Sequence, residues 1–226
     1  MLDDDAGIAG WTTSGLATRF RAFRRAWQQP PRPGTWLDIG CGAGTYTRFL
    51  VDEGLDVVGV DYSLPSLQKA RERSDSRPHW VAGDVTRIPV RDESFAGILC
   101  FGVLQALSDA RPALASMARV LEPDGLLWVD ALNGRCLPSR IDIHRRMKAG
   151  RPLHLRYDDA NALRAGLTEA GFDVVDMQWL PIIPARLAML QPLVEHRIVR
   201  SLLPWISPLA EAVSHSILVV ARRRHG

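Results

Sequence analysis

The chain has 226 residues, 28 basic and 25 acidic side chains, and a net charge of +3, with 46% of its residues apolar. That length holds one sizeable core rather than a string of domains, and so small a charge does not by itself imply a nucleic-acid partner. The three cysteines, Cys41, Cys100 and Cys136, are widely spaced with no C-x-x-C pair or neighbouring histidine, which argues against zinc or a disulfide framework and for reduced thiols.

The chain opens on Met-Leu-Asp-Asp-Asp, which lacks the basic and apolar regions of a signal peptide, so a cytoplasmic protein is expected. Residues 12–29 predict an Arg-rich helix whose Leu16, Phe20, Phe23 and Trp27 share one face and pack on a sheet. Pro30, Pro31, Pro33 and Gly34 break that helix. Next comes a short apolar run, 36–39, containing Asp38, followed by Gly40-x-Gly42-x-Gly44 and a helical pattern carrying Tyr46, Phe49 and Leu50. Strand, tight turn and helix follow from that order. The glycines allow positive φ and close approach of a ligand to bare main chain, and the helix start offers N–H groups and a positive dipole end to an anionic group. The spacing differs from the G-x-G-x-x-G of dinucleotide sites.

Further strands are predicted at 56–60, 79–82, 97–101 and 126–131, with helices at 45–53, 64–73 and 109–121. This alternation predicts a parallel sheet with right-handed crossovers and ligands at the carboxyl ends of the strands, where Asp38, Asp61 and Asp84 fall. A sixth strand is expected at 172–179, after a helix capped by Asp158 or Asp159 and ended by Gly171; the last is at 215–221. Between them lies an apolar, proline-broken insertion, 180–213, with Leu187, Leu190, Val194 and Ile198 at helical spacing. Its charges interrupt every run that could span a bilayer. It is open to three uses: a cover over an apolar substrate, a surface for membrane or another subunit, or ordinary core. Residues 135–156 carry seven basic side chains, read as a solvated helix or, if they face the site, as a preference for an acidic substrate. A single domain, 1–226, is expected: a helical segment at 1–34, a cofactor half at 35–131 and a substrate half at 132–226.

These motifs resemble those of the class I S-adenosylmethionine-dependent methyltransferases. The resemblance is carried by Leu37-Asp38-Ile39-Gly40-Cys41-Gly42-Ala43-Gly44, Gly59-Val60-Asp61, Gly83-Asp84-Val85 with Ile88-Pro89, Ser94-Phe95, Val103-Leu104, and Arg119-Val120-Leu121-Glu122-Pro123-Asp124-Gly125. Ala96 stands where the family often has Asp, and Asp124 where it often has Gly. The resemblance implies a Rossmann-like, doubly wound α/β fold with seven strands in the order 3-2-1-4-5-7-6, the last antiparallel. It implies S-adenosyl-L-methionine as cofactor, over the turn of Gly40, Cys41, Gly42 and Gly44. Asp61, followed by Tyr62, would take the ribose hydroxyls. Asp84 and the Val85 N–H would meet the adenine, and Asp38 with the Gly40 backbone would face the amino-acid end. Phe101 and the segment after it would lie beside the methyl group, with Gln105 where relatives often carry histidine.

Glutamine cannot act as a base near neutral pH, so a proton acceptor is sought after the fifth strand, among His144, His154, Tyr157 and His196. The chain lacks the Asp-Pro-Pro-Tyr, Pro-Cys and paired-glutamate features that related methylases of nucleic acids and proteins carry. The expected acceptor is therefore a small apolar or amphiphilic metabolite, with methylation on oxygen favoured. An RNA methyltransferase and a non-catalytic S-adenosylmethionine-binding protein stand as alternatives.

Overall fold

The computed structural model describes residues 13–27, 32–181, 189, 191–195 and 207–225. Seven strands form one sheet: β1 (Thr35–Ile39), β2 (Asp56–Asp61), β3 (His79–Ala82), β4 (Phe95–Cys100), β5 (Leu121–Leu132), β6 (Phe172–Leu180) and β7 (Ser216–Arg223). Their order is 3-2-1-4-5-7-6. The neighbours among β1 to β5 pair in parallel, and β7 runs antiparallel between β5 and β6, as the resemblance implied.

The helices are α1 (Thr13–Ala26), α2 (Thr45–Asp52), α3 (Leu64–Glu72), α4 (Arg111–Val120), α5 (Leu137–Lys148) and α6 (Ala160–Glu169), then the short α7 (Gln191–Val194) and α8 (Ser207–Val213). The central strands β1 and β4 are covered on both faces and buried almost throughout, so there the period of two sorts side chains between two layers, whereas the edge strands β3 and β6 keep exposed residues. Leu37, Ile39, Ile98 and Cys100 join Leu114 and Met117 of α4 and Leu163 and Leu167 of α6. On the other face, Trp36, Leu99 and Trp128 meet Leu16 and Phe23 of α1, Trp27 just after it, and Tyr46 and Leu50 of α2. The stripe predicted on the first helix is thus core: the Phe23 ring sits 5.4 Å from both Phe101 and Trp128, in edge geometry.

β5 begins at Leu121, directly after α4 and five residues ahead of the expected start at 126. The pairing with β4 shifts between Phe95 and Gly97, from Leu121 to Leu126, so residues 122–125 bulge outward. Asp124 sits in that bulge at φ 58°, a left-handed conformation that aspartate tolerates better than most side chains; its departure from the family's usual glycine therefore leaves the backbone intact. Ala96, the other departure, is fully buried. Of the two candidate caps on α6, Asp159 accepts from the Ala162 N–H at 2.8 Å, while Asp158 pairs with Arg156.

Of the insertion, Met189, residues 191–195 and α8 are described; Leu187, Leu190 and Ile198 lie outside the described residues. Glu195 ties this segment to α1, accepting from Arg21 at 2.7 Å and Arg25 at 2.8 Å. Burial alone would raise its carboxyl, but the two arginines bring it down to about 2. Among the described residues, no helix is long and apolar enough to cross a membrane.

Candidate active site

The turn after β1 is held by β2. The Gly40 N–H donates to the Val60 carbonyl at 2.7 Å, and the Gly42 N–H donates to Asp61 Oδ2 at 2.9 Å. Asp61 Oδ1 accepts from the Ser63 N–H at 2.8 Å, so the carboxylate at the end of β2 is aimed by backbone on both sides. The glycines of the turn have different reasons. A Cβ on Gly40, at φ 65°, would come 2.3 Å from Val103 across the site, whereas one on Gly44, at φ 82°, would strike the Trp80 ring at 2.8 Å. Gly40 keeps the site's two walls at their spacing; Gly44 leaves room for the Trp80 ring of β3 at the start of α2.

Around Asp61 the structure encloses a cavity of about 460 Å³, within the range of small-molecule sites. Gly40, Gly42, Asp61 and Tyr62 form one wall, Gly83, Asp84 and Val85 the second, and Phe101, Gly102 and Val103 the third. These are the carboxyl ends of β1 to β4, where an open α/β sheet collects its ligands. Asp84 is exposed; its Oδ1 accepts from the N–H and hydroxyl of Thr86, both at 2.8 Å, and these bonds lower its pKa. Tyr62 is 86% exposed at the rim. A wider depression of about 820 Å³ lies over Arg87 to Arg91, Ser94 and Arg119, before the starts of β4 and β5 at the opposite edge of the sheet, and has neither the glycine turn nor an acid.

Asp38 of β1 and Cys41 and Gly44 of the turn do not line the cavity. Asp38 is buried behind it, where the Thr47 hydroxyl donates to Oδ2 at 2.5 Å. Burial raises its carboxyl to about 7, against the pull of Thr47. An acid whose folded pKa exceeds its unfolded value of about 3.9 contributes stability below that value and loses it as the pH rises through about 7. The stability of the cofactor-free protein relative to Asp38→Asn is therefore expected to fall from about pH 4 to about pH 7, by at most about 1.4 kcal/mol per pH unit. Urea denaturation of both proteins across that window measures the difference; a pH-independent gap would contradict the assignment. Burial likewise pushes the Cys41 thiol far up, with Asp38 and Asp61 adding to the effect.

Gln105, expected beside the methyl group, is buried in the 3-10 turn Leu104–Ala106, its side-chain oxygen without a partner among the described residues; its neighbours Val103, Ala106 and Leu107 line the cavity instead. The expected proton acceptors are not gathered at the cavity. His144 is exposed on α5, beside a separate apolar depression, and His154 is exposed in the loop after it. Tyr157 is half-buried with its hydroxyl pushed up by burial and by Asp142, and His196 lies outside the described residues.

Sequence reasoning missed a buried ion pair at the back of the third wall. Arg19 of α1 and Asp130 of β5 meet at 3.0 Å, 7% and 1% exposed. Arg19 also donates to the Ser216 hydroxyl, at 2.6 Å, while Asp130 Oδ1 accepts from the N–H of Gly102, the cavity residue after β4. The signal was present as an arginine three residues from Leu16, within the apolar stripe. His215, near the same cluster, is held down to about 4 by burial and by Arg19.

Residues 37–129 match the family described as a methyltransferase domain. The demethylmenaquinone methyltransferase of Beutenbergia cavernae is 40% identical over 135 residues, 57% of this chain and 55% of that protein. The malonyl-[acyl-carrier protein] O-methyltransferase of Pseudescherichia vulneris is 33% identical over 118 residues, 52% of this chain and 45% of that one. The chain thus spans about half the length of the curated relatives it matches. A solved S-adenosylmethionine-dependent methyltransferase from Mesorhizobium loti superposes with a TM-score of 0.68 over 93% of this chain and 100% of the other at 17% identity, a likeness of fold. With the match beginning at the strand that leads into the glycine turn and the sheet in this strand order, residues 37–129 match a methyltransferase domain, set in the fold that the resemblance to the class I S-adenosylmethionine-dependent methyltransferases implied.

Proposed function

We propose that the protein transfers a methyl group from S-adenosylmethionine to a small apolar or amphiphilic acceptor, with oxygen as the favoured acceptor atom. The observation that carries this reading is the Asp61 carboxylate, fixed by two backbone N–H groups inside a cavity large enough for a nucleoside. The cavity fits the cofactor at each end. Asp61 has acceptor capacity left for two ribose hydroxyls, Asp84 Oδ2 is available to an adenine amino group, and Gly40 opposite Val103 leaves a gap that a Cβ would close.

Bound there, the cofactor supplies an activated methyl on a sulfonium. This chain's contribution is then orientation: Asp61 and Asp84 fix the nucleoside, while Phe101, Gly102 and Val103 form the wall against which an acceptor is aligned. Alignment of this kind supplies about 7–11 kcal/mol of a displacement barrier. Among the described residues the cavity walls carry no histidine or lysine, and those present suit an acceptor already ionised at neutral pH, such as a carboxylate or an acidic hydroxyl. The two relatives named above act on a carrier-bound malonyl group and on a demethylmenaquinone, which supports an acidic or quinone-like acceptor.

The same lack of a wall base favours a second reading, that the protein binds the cofactor without turnover. Incubation with methyl-labelled S-adenosylmethionine and a fractionated cell extract decides between them. We expect label in the organic-soluble small-molecule fraction together with S-adenosylhomocysteine. Label only in RNA would overturn the substrate class, and cofactor binding without product would establish the binder.

A further inference from the structure

Helix α5 has little to do with holding the fold together. Of its twelve residues only Ser139 is buried. Leu137, Ile141 and Met147 are 52%, 51% and 68% exposed, and Leu153 and Leu155 in the loop that follows are exposed as well. At 100° per residue, Leu137, Ile141, His144, Arg145 and Lys148 fall on the side away from Ser139, with Arg140 at its edge. Apolar and basic side chains thus alternate on the solvent face. Arg146 is paired with Asp142, and Arg135 lies near Asp159 and Glu211, but Arg140, Arg145, Lys148 and Arg151 have no acidic partner among the described residues. The basic stretch noted in the sequence does not line the cofactor cavity.

A surface that leaves both its charge and its apolar groups unmatched fits a partner that is anionic and apolar at once. Beside α5 lies an open depression of about 620 Å³ lined by Leu137, Ile141, Ile143 and Met147 together with Arg140, His144 and Arg145, an apolar and basic mixture that suits a phospholipid acyl chain and headgroup. Arginine and lysine stems can lie along apolar surface while their charged heads reach lipid phosphates, and each basic group near an anionic membrane adds attraction. The surface is also tied to the site: the Arg156 N–H, in the loop after α5, donates at 2.8 Å to the carbonyl of Gln105, between cavity residues Val103 and Ala106.

We propose that α5 and the loop after it form a docking surface for an anionic lipid bilayer, on the same edge of the sheet as the cofactor cavity. The docking stands without the methyl-transfer reading; only the corollary, that an apolar acceptor passes from bilayer to cavity, rests on it. The test is flotation with phosphatidylcholine vesicles made with and without phosphatidylglycerol, with no cofactor present. Binding is expected only when phosphatidylglycerol is included, and it should weaken as salt is raised. Arg140→Glu with Arg145→Glu and Lys148→Glu should weaken it at least about ten-fold, and Ile141→Asp with Met147→Asp should also reduce it. Because these side chains are exposed, both variants should keep the wild-type melting temperature and cofactor affinity. Asp61→Ala should float as the wild type does, which separates failure of docking from failure of the cofactor assignment. No binding by the wild type, undiminished binding by both variants, or salt-sensitive capture of an acidic soluble protein without vesicle binding would overturn the proposal.

Discussion

Asp61→Ala is expected to weaken S-adenosylmethionine binding by ten-fold or more. Hydrogen bonds that a carboxylate accepts from ligand hydroxyls contribute roughly 1.5–3 kcal/mol each, and 1.4 kcal/mol is a factor of ten in affinity. The substitution has a second cost, since the Gly42 and Ser63 N–H groups now bound to the carboxylate lose their acceptor and the turn loses its anchor to β2. Asp61→Asn separates the two effects. Its side-chain oxygen can keep one backbone bond while its amide removes the charge, so an intermediate affinity with a melting temperature near wild type is expected. Calorimetry measures both variants, and an unchanged dissociation constant for Asp61→Ala would refute the ribose assignment.

The second large effect is expected in stability. Arg19→Met leaves the Asp130 carboxylate almost fully buried without its cation, and breaking such a pair from one side costs about 3–5 kcal/mol. The pH dependence identifies the cause. Burial already raises the Asp130 pKa, and loss of Arg19 raises it further. A group whose folded pKa lies above its unfolded value stabilises the protein at low pH and loses that contribution as the pH rises. The Arg19→Met penalty should therefore be largest at and above neutrality and shrink toward about pH 4. Urea denaturation at both extremes tests this; an equal penalty at each would mean that lost packing, not the stranded charge, is responsible. Asp130 also accepts from the Gly102 N–H, so cofactor affinity should fall in Asp130→Ala more than in Arg19→Met.

Ion pair and cavity differ in how readily the chain discloses them. The glycine turn and the acids after β1, β2 and β3 are local: each is a short run in which an apolar strand meets a turn, and the backbone conformations demanded there restrict which residues can stand. Asp38 was legible as an acid at the turn but not as a buried one, because burial depends on α2 bringing Thr47 over it. Gly44 was legible as a glycine, but its reason, the Trp80 ring, comes from a strand two places away in the sheet. The candidate bases were chosen by chain position after β5, and the fold leaves His144 and His154 exposed beside or beyond α5, away from the cavity lining.

From the sequence alone came the alternating strands and helices and the strand-turn-helix at residues 36–50, because these depend on contacts between near neighbours and on backbone geometry that repeats along the chain; the order 3-2-1-4-5-7-6 was implied only by the family likeness. Tertiary structure alone decided which side chains reach the cavity, that Arg19 and Asp130 meet across 111 positions, and that the basic stretch stands in solvent rather than over the cofactor. Those outcomes depend on packing and desolvation between segments far apart in the chain, and a local pattern of residues carries no measure of either.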